Sequence, residues 1–597
     1  MEMNDSNLHY TNERNVQIVI ALLKAHGIHR VIASPGTTNM TFVVSIQNDP
    51  WFHVWSSVDE RSAAYLACGM ASETGEPVVL SCTGATASRN YMPGLTEAFY
   101  RKLPILAITS TRGNHRIGHL VDQQIDRRSL PNDIVIESVT IPTIKDNDDE
   151  RYCEIEVNKA ILALTLHGGG PSHINLYTNY SKDFSTVDIP HVNKIYRHTQ
   201  FDTNLPKIPT DGRTAIFMGS HKKCSERLTQ LIDCFCATHD AIVYCDHTSG
   251  YRGKYEVHAQ ILCGQKQYYS ELRNVDLCIH IGEISGNQYT LNAKNVWRVS
   301  PDGKLRDTWY VLRRVFMMPE EVFFEHYSQN GSEKKDYFNK INNEIQTLLD
   351  NVPELPFGNI WIAQHMANNI PRNSELHLGI YNSLRSWNFF KLPEWVHANC
   401  NVGGFGIDGG LSTMIGASLS NPNKLFFGIF GDLAFFYDMN VIGNRHIGNN
   451  IRVLLINNGK GTEFRNYGHP CYFLGEKADE YVAAAGHYGN MSTEFVKHYA
   501  SDLGFEYISI SNKQEFFDSI ERFLDTNNLR KPILMEAFTD SKDESEALRM
   551  ILNCLNEEKS ITSKIKSKTK NAIKGIVGVD ATEIVKNMLG KGRNKLE

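Results

Sequence analysis

The sequence predicts an α/β protein of three Rossmann-like parallel-sheet domains followed by a basic carboxyl-terminal tail. Short apolar runs recur along the chain and each closes in Gly, Ser, Thr, Asn or Asp, as at 31–33 before Ser34-Pro35-Gly36 and at 78–82 before Thr83-Gly84. Runs of that length are strands buried on both faces, and their polar endings collect at the carboxyl edge of a parallel sheet. Stretches of helical apolar spacing separate them, which is the βαβ alternation. At 597 residues the chain is too long for one core, so several domains are expected.

The first domain is expected over 1–189. A helix is predicted at 16–26 and a strand at 31–33, then a tight turn whose Gly36 lets the backbone approach a ligand. A strand is predicted at 51–58, ending in Asp59-Glu60-Arg61, with a small-residue helix at 62–72. Strands follow at 78–82 and 105–109. Residues 190–209 are polar and proline-bearing and read as a linker into a central domain, 190–350, with strands at 215–218, 241–246 and 275–282. That domain has no G-x-G-x-x-G fingerprint, so a structural role is expected of it. The third domain, 351–545, has strands at 376–380, 425–430, 453–456 and 533–537. Residues 546–597 are the expected tail. From Lys559 it holds ten Lys/Arg against three Asp/Glu, with isoleucines interleaved, as in a solvated tail or a basic segment at a membrane surface.

The chemistry concentrates in 431–464. Two buried strands end in Gly431-Asp432 and in Asn457-Asn458-Gly459, which places a carboxylate and an amide together at one sheet edge. Such oxygens suit Mg2+, and the helix predicted after Asp432 offers free amides to a phosphate. The residues therefore read as a metal-bridged diphosphate site.

Composition excludes several classes. A net charge of −6 implies no general affinity for nucleic acid. The twelve cysteines are scattered without paired CxxC spacing, which suits a reducing cytoplasm and not a disulfide framework. No apolar run approaches the roughly 20 residues of a membrane span, and the polar start is no signal peptide, so a cytoplasmic location is expected.

Gly431-Asp432, followed after roughly 25 to 30 residues by Asn457-Asn458, resembles the diphosphate-binding motif of thiamine diphosphate (ThDP) enzymes of the acetolactate synthase and pyruvate decarboxylase type. Asp59-Glu60-Arg61-Ser62-Ala63 with Cys82-Thr83-Gly84 resembles their pyrimidine-binding domain. The resemblance implies a pyrimidine-binding first domain, a diphosphate-binding third domain, ThDP and Mg2+ as cofactors, and a homodimer or dimer of dimers. It implies Glu60 and Gln123 as catalytic groups, with Asp432, Asn458 and the Lys460 carbonyl as metal ligands. Cofactor contacts are implied for Pro35, Gly36, Thr83, Gly84, Asn382, Ser383, Gly406, Ile407, Gly431, Asp432, Leu433, Asn458 and Gly461, with Ile407 as the apolar support. Thr38, His119, Glu463, Phe464 and Arg465 stand where substrate contacts are implied.

Further stretches, including Gly406-Ile407-Asp408-Gly409-Gly410-Leu411-Ser412-Thr413, are similar to the menaquinone-pathway 2-succinyl-5-enolpyruvyl-6-hydroxy-3-cyclohexene-1-carboxylate synthases. Three arginines of that pattern are missing here. Thr38, Val402 and Trp387 stand in their places, and each lost bidentate carboxylate contact costs about 1.5 to 3 kcal/mol. The expectation is a ThDP- and Mg2+-dependent decarboxylase or carboligase acting on a 2-oxo acid, with or without a second carbonyl acceptor. The synthase itself and a non-catalytic ThDP-binding scaffold with a membrane-docking tail are the alternatives.

Overall fold

A computed structural model describes residues 9–286, 291–328, 334–527 and 529–555. By contacts the chain divides into two compact units. One comprises 1–207 with 295–323, the other 208–294 with 324–597.

The first unit is organised on a six-stranded sheet in the order His53–Ser56, Arg30–Ala33, Val78–Thr83, Ile105–Thr111, Ser172–Tyr177, Glu137–Ile141. Every pairing in it is parallel. Successive residues feed opposite faces. Val79, Leu106 and Ile174 join one buried cluster, while Val78, Leu80, Ile105 and Ala107 join the other. Burial on both faces explains why these strands read as unbroken apolar runs. The expected strand at 51–58 shrinks to His53–Ser56, an edge strand with mostly exposed side chains, which needs less apolar character. The expected helix at 62–72 is longer, Glu60–Thr74, because Asp59 caps it, accepting from Arg61 N (2.9 Å) and Ser62 N (3.2 Å). Its small residues have a packing reason. A Cβ at Gly94, on the helix Met92–Arg101, would lie 2.4 Å from the Ala64 Cβ. Three further strands of this unit, Val296–Val299, Leu312–Met317 and Tyr196–Thr199, also pair in parallel.

In the second unit the strands Glu256–Val257, Ile242–Tyr244, Thr214–Met218 and Leu277–Ile281 pair in parallel. The single strand expected over 275–282 is instead two, Asn274–Val275 and Leu277–Ile281. The other sheet of this unit runs His397–Asn399, Ser374–Leu378, Leu425–Gly431, Ile451–Asn457, Ile533–Phe538, Glu506–Ile510, again parallel throughout. Phe426, Phe430, Val453, Leu455 and Leu534 form one buried face of it. The helix Ser541–Ile551 passes the expected start of the tail and buries Ile551 completely. The lysine-rich run from Lys559 lies outside the described residues. No described helix is long and apolar enough to cross a membrane.

Candidate functional site

The central strands of the second unit pair with Gly431 opposite Ile456. This register brings Asp432 and Asn457-Asn458, 25 residues or more apart in sequence, to neighbouring strand ends. Asp432 and Asn458 border a cavity of about 900 Å³ whose walls also include Asn382, Ser383, Ile407, Gly431, Leu433 and Gly461.

Asp432 is 3 % exposed and opens the helix Asp432–Asp438. Its Oδ1 accepts from Leu433 N (2.7 Å) and its Oδ2 from Lys460 N (3.1 Å). Burial outweighs these backbone donors and pushes its carboxyl up to about 6. Asn458 is also buried, and its Oδ1 has no hydrogen-bond partner. An orphaned amide oxygen beside a desolvated carboxylate is costly as it stands, and a hard cation satisfies both. The Lys460 carbonyl accepts from Thr462 N (2.9 Å) and keeps its second lone pair. Among the described residues no cluster of three His, Cys, Asp or Glu forms a metal site. A centre with one carboxylate, one amide oxygen and one carbonyl is not such a cluster.

Of the residues expected at this edge, Glu463 and Phe464 line the cavity. Arg465 does not. Its guanidinium pairs with Asp479, and it borders a separate surface cavity with Tyr472 and Arg549. Sequence reasoning missed Arg385, which lines the cavity, pairs with Glu463 Oε1 and lies over the Tyr381 ring at 5.4 Å. The signal was its position one helical turn after Asn382. Tyr381 and Phe405, also on the wall, hold φ of +66° and +53°, left-handed values costing about 1–3 kcal/mol each. Trp387 is fully buried and donates from Nε1 to Asn359 Oδ1 (3.1 Å).

Glu544 was not foreseen either. It lines the cavity and its Oε1 accepts from Thr539 Oγ1 (2.8 Å) and Asn359 N (3.2 Å). Burial, with Asp432 nearby, pushes its carboxyl up to about 7. A carboxyl raised by folding contributes stability at low pH that is lost as pH climbs through the folded value. Glu544→Gln should therefore leave the melting temperature nearly unchanged at pH 5. At pH 8 it should raise it by a few degrees, on the order of 2 kcal/mol. Equal shifts at both pH values, by calorimetry, would contradict the assignment.

In the first unit the expected cofactor residues gather at the carboxyl edge of its sheet. A Cβ at Gly36 would fall 1.9 Å from Thr83 Cγ2, so only glycine allows the 34–38 turn to lie against Thr83. A Cβ at Gly84 would meet Thr111 at 2.8 Å and the Ser110 carbonyl at 3.0 Å. Glu60 is half-buried in the first turn of its helix, and its charge and that of Arg127 act in opposite senses on the buried Cys82 thiol. Thr38, expected among the substrate contacts, is buried within the first unit. It is 6 % exposed, its hydroxyl donates to Ser110 O (2.7 Å), and its carbonyl accepts from Thr178 Oγ1 (2.7 Å). His119 and Gln123 are exposed on the loop after Ile105–Thr111, and Gln123 holds φ of +57°.

Residues 14–130 match the family description "Thiamine pyrophosphate enzyme, N-terminal TPP binding domain". Over its length the chain is similar to proteins named 2-succinyl-5-enolpyruvyl-6-hydroxy-3-cyclohexene-1-carboxylate synthase. It is 28% identical to that of Phocaeicola vulgatus over 571 residues, covering 90% of this chain and 98% of the relative. The Bacteroides fragilis protein is 28% identical over 573 residues, with the same coverages. Residues 14–130 thus carry the amino-terminal domain of thiamine diphosphate enzymes, and the likeness to the relatives continues beyond it. Pro35, Gly36, Glu60, Thr83, Gly84 and Gln123 lie inside the matched segment. The relative from Flavobacterium psychrophilum, 26% identical over 559 residues, covers 88% of this chain. These similarities extend through the second unit, so the cavity at Asp432 and Asn458 lies within the same likeness.

Proposed function

We propose that this enzyme binds Mg2+ with its ThDP, decarboxylates a 2-oxo acid, and passes the acyl unit to a second carbonyl or other acceptor. The orphaned Asn458 Oδ1 beside the desolvated Asp432 carboxylate carries the metal part of this reading. Asp432, Asn458 and the Lys460 carbonyl would hold Mg2+, and Ile407 on the cavity wall would support the cofactor from below. When bound, ThDP supplies a carbon nucleophile that can hold the electron pair left as CO2 departs. Glu60 would exchange a proton with the pyrimidine ring of the bound cofactor, as general acid–base work requires. Gln123 would orient the reacting carbonyl. Arg385, Glu463, Phe464 and His469 line the space in which a substrate is placed.

A metal that needs the ionised Asp432 is lost as protons compete for it. Half-saturating Mg2+ should be flat above pH 7 and rise about tenfold per unit as pH falls below the raised value near 6. A flat titration from pH 7.5 to 5 would remove Asp432 from the ligand set.

The reaction named for the relatives is the second reading, favoured by coverage of 98% of the Phocaeicola protein. Weighing against it, Trp387 and Thr38 are buried and stand where that pattern has arginines. A screen of 2-oxo acids by CO2 release, with and without carbonyl acceptors, separates the readings. Product from the relatives' substrates alone would establish the second.

We also propose that two copies share each site, one supplying Glu60 and the other Asp432. Mixing Glu60→Gln with Asp432→Ala after subunit exchange should recover part of the activity, because some hybrid dimers carry one intact site. No recovery despite demonstrated exchange would argue for sites within one chain.

A further inference from the structure

Asp479 lies outside every expected motif, yet it accepts from two cations. Lys460 Nζ reaches its Oδ2 at 2.7 Å, and Arg465 Nη1 reaches its Oδ1. None of the three side chains is more than 26 % exposed, so the two pairs are partly sheltered from water.

The geometry links this bridge to the candidate cofactor site. Lys460 is the residue whose backbone N–H donates to Asp432 Oδ2. Its neighbours are tied to the same covering segment, since Gly461 N donates to Ala483 O (2.6 Å) and Gly486 N to Gly459 O (3.4 Å). Asp479 is held in turn by its own carbonyl, which accepts from Ala485 N at 2.9 Å. The segment returns through left-handed Ala484, Tyr488, Asn490 and Met491, at φ of +46°, +51°, +48° and +62°. Four strained non-glycine residues persist only where surrounding contacts over-determine them. Asp479 supplies the ionic part of those contacts.

We propose that Asp479 is a positioning residue for the cofactor turn. By holding Lys460 and Arg465 it fixes the 458–461 backbone against Asp432. It also keeps the Lys460 ammonium from competing with a divalent cation for that carboxylate. The inference rests on the proposed Mg2+ and ThDP binding at Asp432 and Asn458.

The test measures the rise in melting temperature as MgCl2 is titrated at fixed ThDP, together with the melting temperature of the ligand-free protein. Asp479→Asn should need about tenfold more Mg2+ for half-saturation, whatever its ligand-free melting temperature. Asp479→Glu, which keeps the charge, should restore most of the affinity. Arg465→Gln should fall between, and it decides the matter should Asp479→Asn not fold. An unchanged half-saturation in Asp479→Asn and Arg465→Gln would overturn the proposal. So would a lower ligand-free melting temperature with an intact ligand response, the mark of a merely structural residue. A parent that shows no response to ThDP and Mg2+ would overturn the cofactor reading, and this proposal with it. A parent response abolished by Asp432→Ala but retained in Asp479→Asn overturns this proposal alone.

Discussion

Glu60→Gln is expected to slow hydrogen–deuterium exchange at the thiazolium C2 of bound ThDP by about 10²- to 10⁴-fold, the usual worth of positioned acid–base assistance. The amide keeps the shape of the carboxyl and most of its hydrogen bonding, but it cannot accept and return a proton at Oε. Glu60 occupies the first turn of a helix already capped by Asp59, so the substitution leaves the cap bonds in place. ThDP affinity should therefore drop only modestly, since the diphosphate and metal contacts are proposed for Asp432 and Asn458. Quenched NMR of the exchange needs no knowledge of the substrate. Equal, fast exchange in both proteins would remove Glu60 from the activating role. Equal, slow exchange in both would favour a ThDP-binding protein without this chemistry.

Asp432→Ala is expected to abolish the ThDP- and Mg2+-dependent rise in melting temperature. The substitution removes the one carboxylate proposed as a metal ligand and leaves the diphosphate without its bridging cation. At 100-fold ligand over its dissociation constant the parent should gain about 2.7 kcal/mol of apparent stability, and the variant none. The ligand-free variant should not be destabilised to match. Asp432 is desolvated and its carboxyl is pushed up to about 6, so stability falls as pH rises from about 4 to 6 and its ionised form opposes folding at every pH above that. A variant that binds ThDP and Mg2+ as tightly as the parent would displace the metal site from this edge.

What the sequence by itself determined is whatever depends on short-range order. Apolar runs buried on both faces declared the parallel strands at Val78–Thr83, Ile105–Thr111, Leu425–Gly431 and Ile451–Asn457. Because such strands end at a common edge, the Gly-Asp and Asn-Asn that close the last two had to be neighbours, and the register of Gly431 opposite Ile456 makes them so. Strands with less apolar character stayed hidden. Glu506–Ile510 and His397–Asn399 are edge strands, where half-exposed polar residues replace the run. Which side chains face the cavity was decided only by tertiary structure. Arg465 and Thr38 have the chemistry of substrate contacts, but their partners, Asp479 and Ser110, arrive through the fold and take up their polar atoms. Arg385 and Glu463 are 78 residues apart, and Glu544 meets Asn359 across 185. No local periodicity records such pairings. They follow from which strand ends and helix starts converge on one edge, and burial there raises Asp432 and Glu544 to values that a position in sequence does not carry.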